Sequence, residues 1–238
     1  MSLYVLGKPY RKLEFVQEYL RFSQLQQVAP RFSMSWKERY PCINDKTSTT
    51  GFDSHYIYYP AWAARILAQT RPFLHIDVSS TLHFCTMVSA CIPVEFYDYR
   101  PANPTLSGLV SKRADLTDLP FADNSVESLS CMHVVEHVGL GSYGDPLDPD
   151  GDLKAIAELK RVLSIKGTLL FVTPVGKPKI RYNAHRIYSY EQIVSYFSGF
   201  RMEQFSLVNE FGQFSINASQ ADADRQNYGC GCWWFIKP

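Results

Sequence analysis

Nine consecutive residues, GTLLFVTPV (167–175), carry no charge and only two hydroxyl groups. A strand this apolar has no face to offer water, so it has to lie in a sheet covered on both sides. Covering both faces of one sheet takes helices that cross over between strands. The chain supplies that alternation from residue 73 onward. FLHIDV (73–78), VEFYDY (94–99), LVSKRADL (109–116), VESLSCMHV (126–134), RMEQFSLV (201–208) and CWWFIKP (232–238) have strand character. LHFCTMVSAC (82–91), DLKAIAELKRVL (152–163) and SYEQIVSYFSGF (189–200) have helical character, the last stopped by Gly199. The expected fold is α/β: a Rossmann-like, doubly wound, mostly parallel seven-stranded sheet.

The residues before that pattern read differently. Leu13, Val16, Tyr19, Leu20, Leu25 and Val28 recur at helical spacing until Pro30, NDKTSTTGFDSH (44–55) is loop, and YYPAWAARILAQT (58–70) is a second helix with Pro60 near its first turn. We therefore divide the chain into an N-terminal helical extension, a lid over residues 1–70, and a sheet domain over 71–238. The aromatic cluster DSHYIYYPAW (53–62) reads first as core packing of that helix. With 238 residues and a formal charge of +1, the chain has room for one sizeable core and no electrostatic footprint for nucleic acid or an anionic membrane. It has no membrane-length apolar run and no apolar leader. Three of its six cysteines sit in apolar segments, so free thiols and a cytoplasmic setting are expected.

In a doubly wound sheet, ligands bind beyond the carboxyl ends of the strands, where strand order reverses. Asp77 closes the first strand and Asp98 the second, at about the spacing by which a carboxylate reaches a ribose hydroxyl. The turn after Asp77 reads Ser79, Ser80, Thr81, Leu82, His83, with no glycine. Ser79 can make the first turn at negative φ. Thr81 is β-branched and unsuited to positive φ, and His83 is bulky. All three hydroxyl residues can cap the following helix or present N–H groups to an anion.

The block ADLTDLPFADNSVESLSCMHVVEHV (114–138) resembles the centre of class I S-adenosylmethionine-dependent methyltransferases, and AIAELKRVLSIKGTLLFVTPV (155–175) resembles the helix and strand that follow it. The pattern also resembles an uncharacterised branch of methyltransferase-like proteins considered in the context of cell-surface glycan assembly. The resemblance implies S-adenosylmethionine as cofactor. It would have Asp98 hold the ribose hydroxyls and Asp115 accept from the adenine amino group beside the Leu116 backbone. Met132 and His133 would lie under the cofactor, and the turn with Asp77, Ser79 and Ser80 would face its methionine end. It departs from the superfamily at the missing glycines.

HVVEH (133–137) also matches the H-x-x-E-H pattern of zinc proteases. That chemistry needs both histidines on one helical face, whereas this stretch follows directly from an apolar strand, so no metal is assigned. His133 or His137 is instead the candidate general base, oriented by Glu136. DPLDPDGD (145–152) fails as a calcium loop, because its glycine register puts Pro146 at the first ligand position. It reads as a loop capped by Asp150 or Asp152, and as a plausible lid. His185 and Arg186 are candidate acceptor-binding residues, Arg186 through bidentate pairing. GCGC (229–232) reads as a tight turn. The leading expectation is methyl transfer to a small molecule or sugar. The alternative is a methyltransferase-like binding or scaffold protein that has lost the cofactor site, and a metal-dependent hydrolase comes third.

Overall fold

The computed structural model describes residues 7–26 and 31–238, so the expected helix positions Val28 and Pro30 lie outside the described residues. The chain forms two units that meet between Phe52 and Asp53. In the first, helix α1 (Gly7–Gln26) and a 3-10 turn at Trp36–Glu38 are joined by side chains. Lys46 pairs with Glu14 and Glu18 at 2.6 and 2.8 Å, and Tyr19 meets the Trp36 ring edge-on at 4.8 Å. The Arg39 guanidinium lies 4.3 Å from that indole. Among the described residues of the expected apolar face of α1, Val16 and Tyr19 are partly buried, while Leu13, Leu20 and Leu25 are all more than half exposed.

The second unit begins with α2 (Ser54–Thr70), which places the helix with the sheet and not with an extension ending at residue 70. The reason is burial: Tyr59, Trp62, Ala63, Ile66 and Leu67 are almost wholly enclosed. Asp53 caps the helix by accepting from the Tyr56 N–H at 3.2 Å, so the first turn starts at Ser54 and Pro60 falls inside the helix.

Then follow β1 (His75–Val78), α3 (Leu82–Val88), β2 (Val94–Asp98), β3 (Leu109–Arg113), β4 (Val126–Met132), α4 (Gly151–Val162) and β5 (Leu163–Val175). After them come β6 (Lys179–Arg181), β7 (His185–Ile187), α5 (Tyr190–Tyr196), β8 (Arg201–Val208), β9 (Phe214–Ser215), α6 (Gln220–Asp224) and β10 (Gly229–Ile236). The main sheet runs β3-β2-β1-β4-β5-β10-β8-β9. Its first five strands pair in parallel, and β10 is antiparallel to both β5 and β8.

The sheet is mostly parallel as expected, with an antiparallel end, and has eight strands where seven were expected. The short β9 extends the edge beyond β8, and β6 and β7 form a separate two-stranded ribbon. Both additions are two or three residues long, too short to leave an apolar period.

Alternate side chains of β5 serve opposite cores. Leu169 and Phe171 join α4 and α5 on one face, while Leu170 and Val172 join α2 and α3 on the other. Strand β10 does the same, with Trp233 and Phe235 on the first face and Cys230 and Cys232 on the second. GCGC is thus the opening of a strand, not a turn. Its second glycine is required by packing, since a Cβ on Gly231 would lie 2.3 Å from the fully buried Trp233 indole. Gly231→Ala should destabilise the fold by about 1–3 kcal/mol, the usual cost of overfilling a packed core. A urea midpoint equal to wild type would show that the indole has room to yield.

Candidate functional site

The carboxyl ends of β1 to β4 open into one cavity of about 260 Å³. Ser79 lines it after β1, Asp98 at the end of β2, Asp115 and Leu116 after β3, and His133 and His137 after β4. The strand-order reversal between β1 and β4 thus gathers six of the sequence-predicted residues at one place. Asp98 accepts from the Arg100 N–H at 2.7 Å, and Asp115 accepts from Thr117 N and Oγ1 at 2.8 and 2.7 Å through a single oxygen, Oδ1.

Asp77, Ser80, Met132, Glu136, His185 and Arg186 do not line this cavity. Asp77 is fully buried and accepts from Ser80 N at 3.0 Å and from the Ser130 hydroxyl. The Ser130 proton is committed to Asp77, so Ser130 accepts from His75 Nε2–H at 2.8 Å, and His75 Nδ1 accepts from Ser128 at 2.8 Å. Ser80 Oγ in turn accepts from Met132 N at 3.1 Å, tying the β1 turn to the end of β4. Asp77 and Ser80 therefore shape the turn and have no free polar face to offer a ligand.

The turn itself answers the missing glycines. Ser79 takes φ +56°, the left-handed backbone that glycine favours, and not the negative φ expected of it. Thr81 has φ −73° at the start of α3 and makes no side-chain cap, while His83 is exposed and outside the cavity lining. Only one of the three positions adopts a glycine-like backbone.

After β4 the chain makes a 3-10 turn at Val135–His137, so His133 and His137 do not share a helical face as zinc-protease ligands would. His133, at φ +58°, donates from Nδ1 to Glu136 Oε1 at 2.7 Å, and its Nε2 lies 3.3 Å from Cys230 Sγ. Both of its ring nitrogens are engaged. His137 donates from Nδ1 to the Ala184 carbonyl at 2.5 Å, while its Nε2 stands 3.9 Å from Glu136 Oε1. Glu136 is 1% exposed, and its hydrogen bond orients His133.

Arg186 is 5% exposed. Its guanidinium donates to Val138 O at 2.7 Å and Pro149 O at 3.1 Å, and it lies 3.6 Å from Asp152. It clamps backbone, which removes it from acceptor binding. His185 lies against Tyr228 with ring centroids 5.2 Å apart, and burial lowers its pKa. Asp152 also accepts from the Tyr188 hydroxyl at 2.9 Å, and Asp150 precedes α4 without a side-chain cap, so neither aspartate caps as expected.

The loop expected as a lid supplies the cavity's other wall, through contacts that sequence reasoning did not single out. Asp145 accepts from Gly139 N at 2.7 Å and Tyr143 N at 3.2 Å, curling the loop before α4. The Arg100 guanidinium stands 4.6 Å from the Tyr143 ring, joining that loop to the end of β2. Gly139, at φ +82°, lets the loop close, since a Cβ there would sit 2.0 Å from the Asp148 carbonyl oxygen. The glycines in GLGSYGDPLDPDGD were legible as loop. The Arg100–Tyr143 contact leaves no sequence pattern.

The fold is that of the class I S-adenosylmethionine-dependent methyltransferases. A putative methyltransferase from Bacillus halodurans matches with a TM-score of 0.53 at 14% identity, over 75% of this chain and 98% of that one. The N-methyltransferase NodS from Bradyrhizobium japonicum, solved in complex with S-adenosyl-L-homocysteine, matches at 0.52 and 11%, over 75% and 85%. The [4+2]-cyclase SpnF matches at 0.53 and 15%, over 80% and 85%. At these identities the likeness is one of fold. A family profile described as "Caenorhabditis protein of unknown function, DUF268" matches residues 121–228, just under half of the chain. No curated protein matches the sequence. Among the described residues no helix is long and apolar enough to cross a membrane.

The buried relay behind the β1 turn has a pH signature. Burial pushes the His75 imidazole down to about 3 and the Asp77 carboxyl up to about 6. The unfolded His75 takes up its proton near pH 6.5 and the folded one only near 3, so its share of stability is present above 6.5 and is lost as pH falls. Asp77 acts in the opposite sense between 3.8 and about 6, so the histidine has to be isolated by subtraction. The urea-unfolding advantage of wild type over His75→Gln should shrink as the buffer is taken from about pH 7 to about 4. An advantage independent of pH would refute a neutral buried His75.

Proposed function

We propose that the chain binds S-adenosylmethionine in this cavity and transfers its methyl group to a small-molecule or sugar acceptor. The observation that carries the reading is the convergence of Ser79, Asp98, Asp115 and Leu116 on one cavity at the switch point of a methyltransferase sheet. These are the positions at which the resembling fold holds its cofactor. The left-handed Ser79 keeps the first turn in a glycine-like path, which answers the main objection to binding. The cofactor supplies an electrophilic methyl group on sulfonium. NodS, of the same fold, is described in complex with the demethylated product.

In this reading Asp98 binds the ribose hydroxyls through its carboxylate, and Asp115 accepts from the adenine amino group with the Leu116 backbone beside it. The protein aligns acceptor and methyl group and removes the acceptor's proton. His137 is the better base of the two histidines. Its Nδ1–H is fixed on the Ala184 carbonyl, which leaves the Nε2 lone pair on a ring that lines the cavity. The Glu136 carboxyl lies 3.9 Å from that Nε2. His133, with both nitrogens engaged, serves as a positioning residue.

Thermal unfolding with S-adenosylmethionine and with its demethylated product tests binding. At about 100 times the dissociation constant, stabilisation should be ~2.7 kcal/mol, a Tm rise of roughly 5–10 °C. No shift with either ligand at millimolar concentration would overturn the reading in favour of a cofactor-free binding module. Asp98→Ala should weaken the cofactor about 10- to 100-fold, the worth of hydrogen bonds to a charged group. Unchanged affinity in calorimetry would remove the ribose assignment.

A further inference from the structure

We propose that His55, His133 and Cys230 form a zinc-class metal site on the α2 side of the sheet, independent of the cofactor reading. The three residues come from distant parts of the chain: the first turn of α2, the turn after β4 and the start of β10. Their ligand atoms nevertheless lie within 4.8 Å of one another. A tetrahedral zinc ion with bonds of ~2.0–2.1 Å to nitrogen and ~2.3 Å to sulfur holds those atoms about 3.3–3.6 Å apart. The separation of His133 Nε2 and Cys230 Sγ, 3.3 Å, is already close to that.

The surroundings are those of a ligand set and not of a chance contact. Glu136 takes the Nδ1–H of His133 at 2.7 Å, which fixes the tautomer and aims the Nε2 lone pair at Cys230. A carboxylate behind a histidine in this way is the usual outer partner of a metal-bound imidazole. The His55 ring stacks on His133 with centroids 5.8 Å apart and on Tyr228 at 5.3 Å. The carboxyl that holds His133 has a second oxygen, Glu136 Oε2, that is buried with no protein partner. Native interiors seldom leave such an atom unpaired.

Two imidazoles and one thiolate leave the fourth position of a tetrahedron to an exogenous ligand, the arrangement of zinc sites that do chemistry. On loading, the sulfur–metal bond forms as the Cys230 thiol proton is released to solvent. His55 is only half-buried, which gives the ion a way in, and Cys230 is enclosed. The site differs from the zinc-protease pattern in HVVEH: only its first histidine is a ligand, with Glu136 behind it.

The test is a titration of the chelator-treated full chain with cobalt(II), followed by displacement with zinc(II). One equivalent should bind, with a thiolate-to-cobalt charge-transfer band and intense visible bands of tetrahedral cobalt, and zinc should abolish both. Cys230→Ser should remove the charge-transfer band. His55→Ala, on the half-buried ligand where the fold is least at stake, should weaken zinc by more than the roughly 10- to 100-fold typical of outer-sphere changes. Cys232→Ser, whose thiol is 3.9 Å from Cys230 but outside the ligand set, should keep the band. Far-ultraviolet circular dichroism matched to wild type assigns a loss to the ligand and not to unfolding. A wild-type chain that binds neither ion stoichiometrically, or a band that survives Cys230→Ser, overturns the proposal. The readout needs no cofactor or acceptor, so its failure is distinct from a failure to bind S-adenosylmethionine.

Discussion

Everything in the sheet domain depends on β5 being apolar on both faces. Leu169 and Phe171 cannot be buried without α4 and α5, nor Leu170 and Val172 without α2 and α3. Once β5 is central, β4 and β10 are fixed as its neighbours, and the polar ends of the remaining strands are left at one edge of the core. The reactive groups gather there because the apolar ones have taken the interior. Strand β10 adds a second constraint. It reverses direction beside β5, so the residues that open it arrive at the same end of the sheet at which the parallel strands finish.

That reversal makes His133 a hub. Its ring meets Glu136 on one side and Cys230 on the other, with Tyr59 and His55 packed against it. A histidine with both nitrogens engaged has a fixed tautomer and orientation, and it passes that order to its neighbours. It has also given up the lone pair that proton transfer needs. The adjacent turn divides the work: one imidazole is held, and the other, His137, is tethered at a single nitrogen. Three residues of spacing in HVVEH thus separate two different physical roles.

The fold class was legible because apolar period and strand–helix alternation are properties of segments. The seven expected strands all exist, and Asp98, Asp115, Leu116, His133 and His137 were placed together by the rule that ligands sit beyond strand ends. What escaped were features set by single contacts. Arg186 looked like an anion binder because a charged side chain in a sequence has no visible partner, and its partners turned out to be carbonyls, which every residue carries. Cys230 looked like part of a turn because Gly231 resembles punctuation, whereas that glycine makes room for the Trp233 indole. Ser79 was expected to turn at negative φ, whereas its backbone sits at φ +56°, which the side chain gives no sign of. His55 and Cys230, 175 positions apart in the chain, share no local signal at all.

The Arg186 clamp bears on how the cavity chooses what enters it. One guanidinium grips the carbonyls of both Val138 and Pro149, the two ends of the loop that carries Tyr143 and Asp145, while Asp145 cinches the loop from within. A wall fastened at both ends and stitched in the middle is a rigid gauge. Under the proposed function, such a wall has little chain entropy to surrender when an acceptor docks, which suits compact acceptors over those that would need it to fold around them.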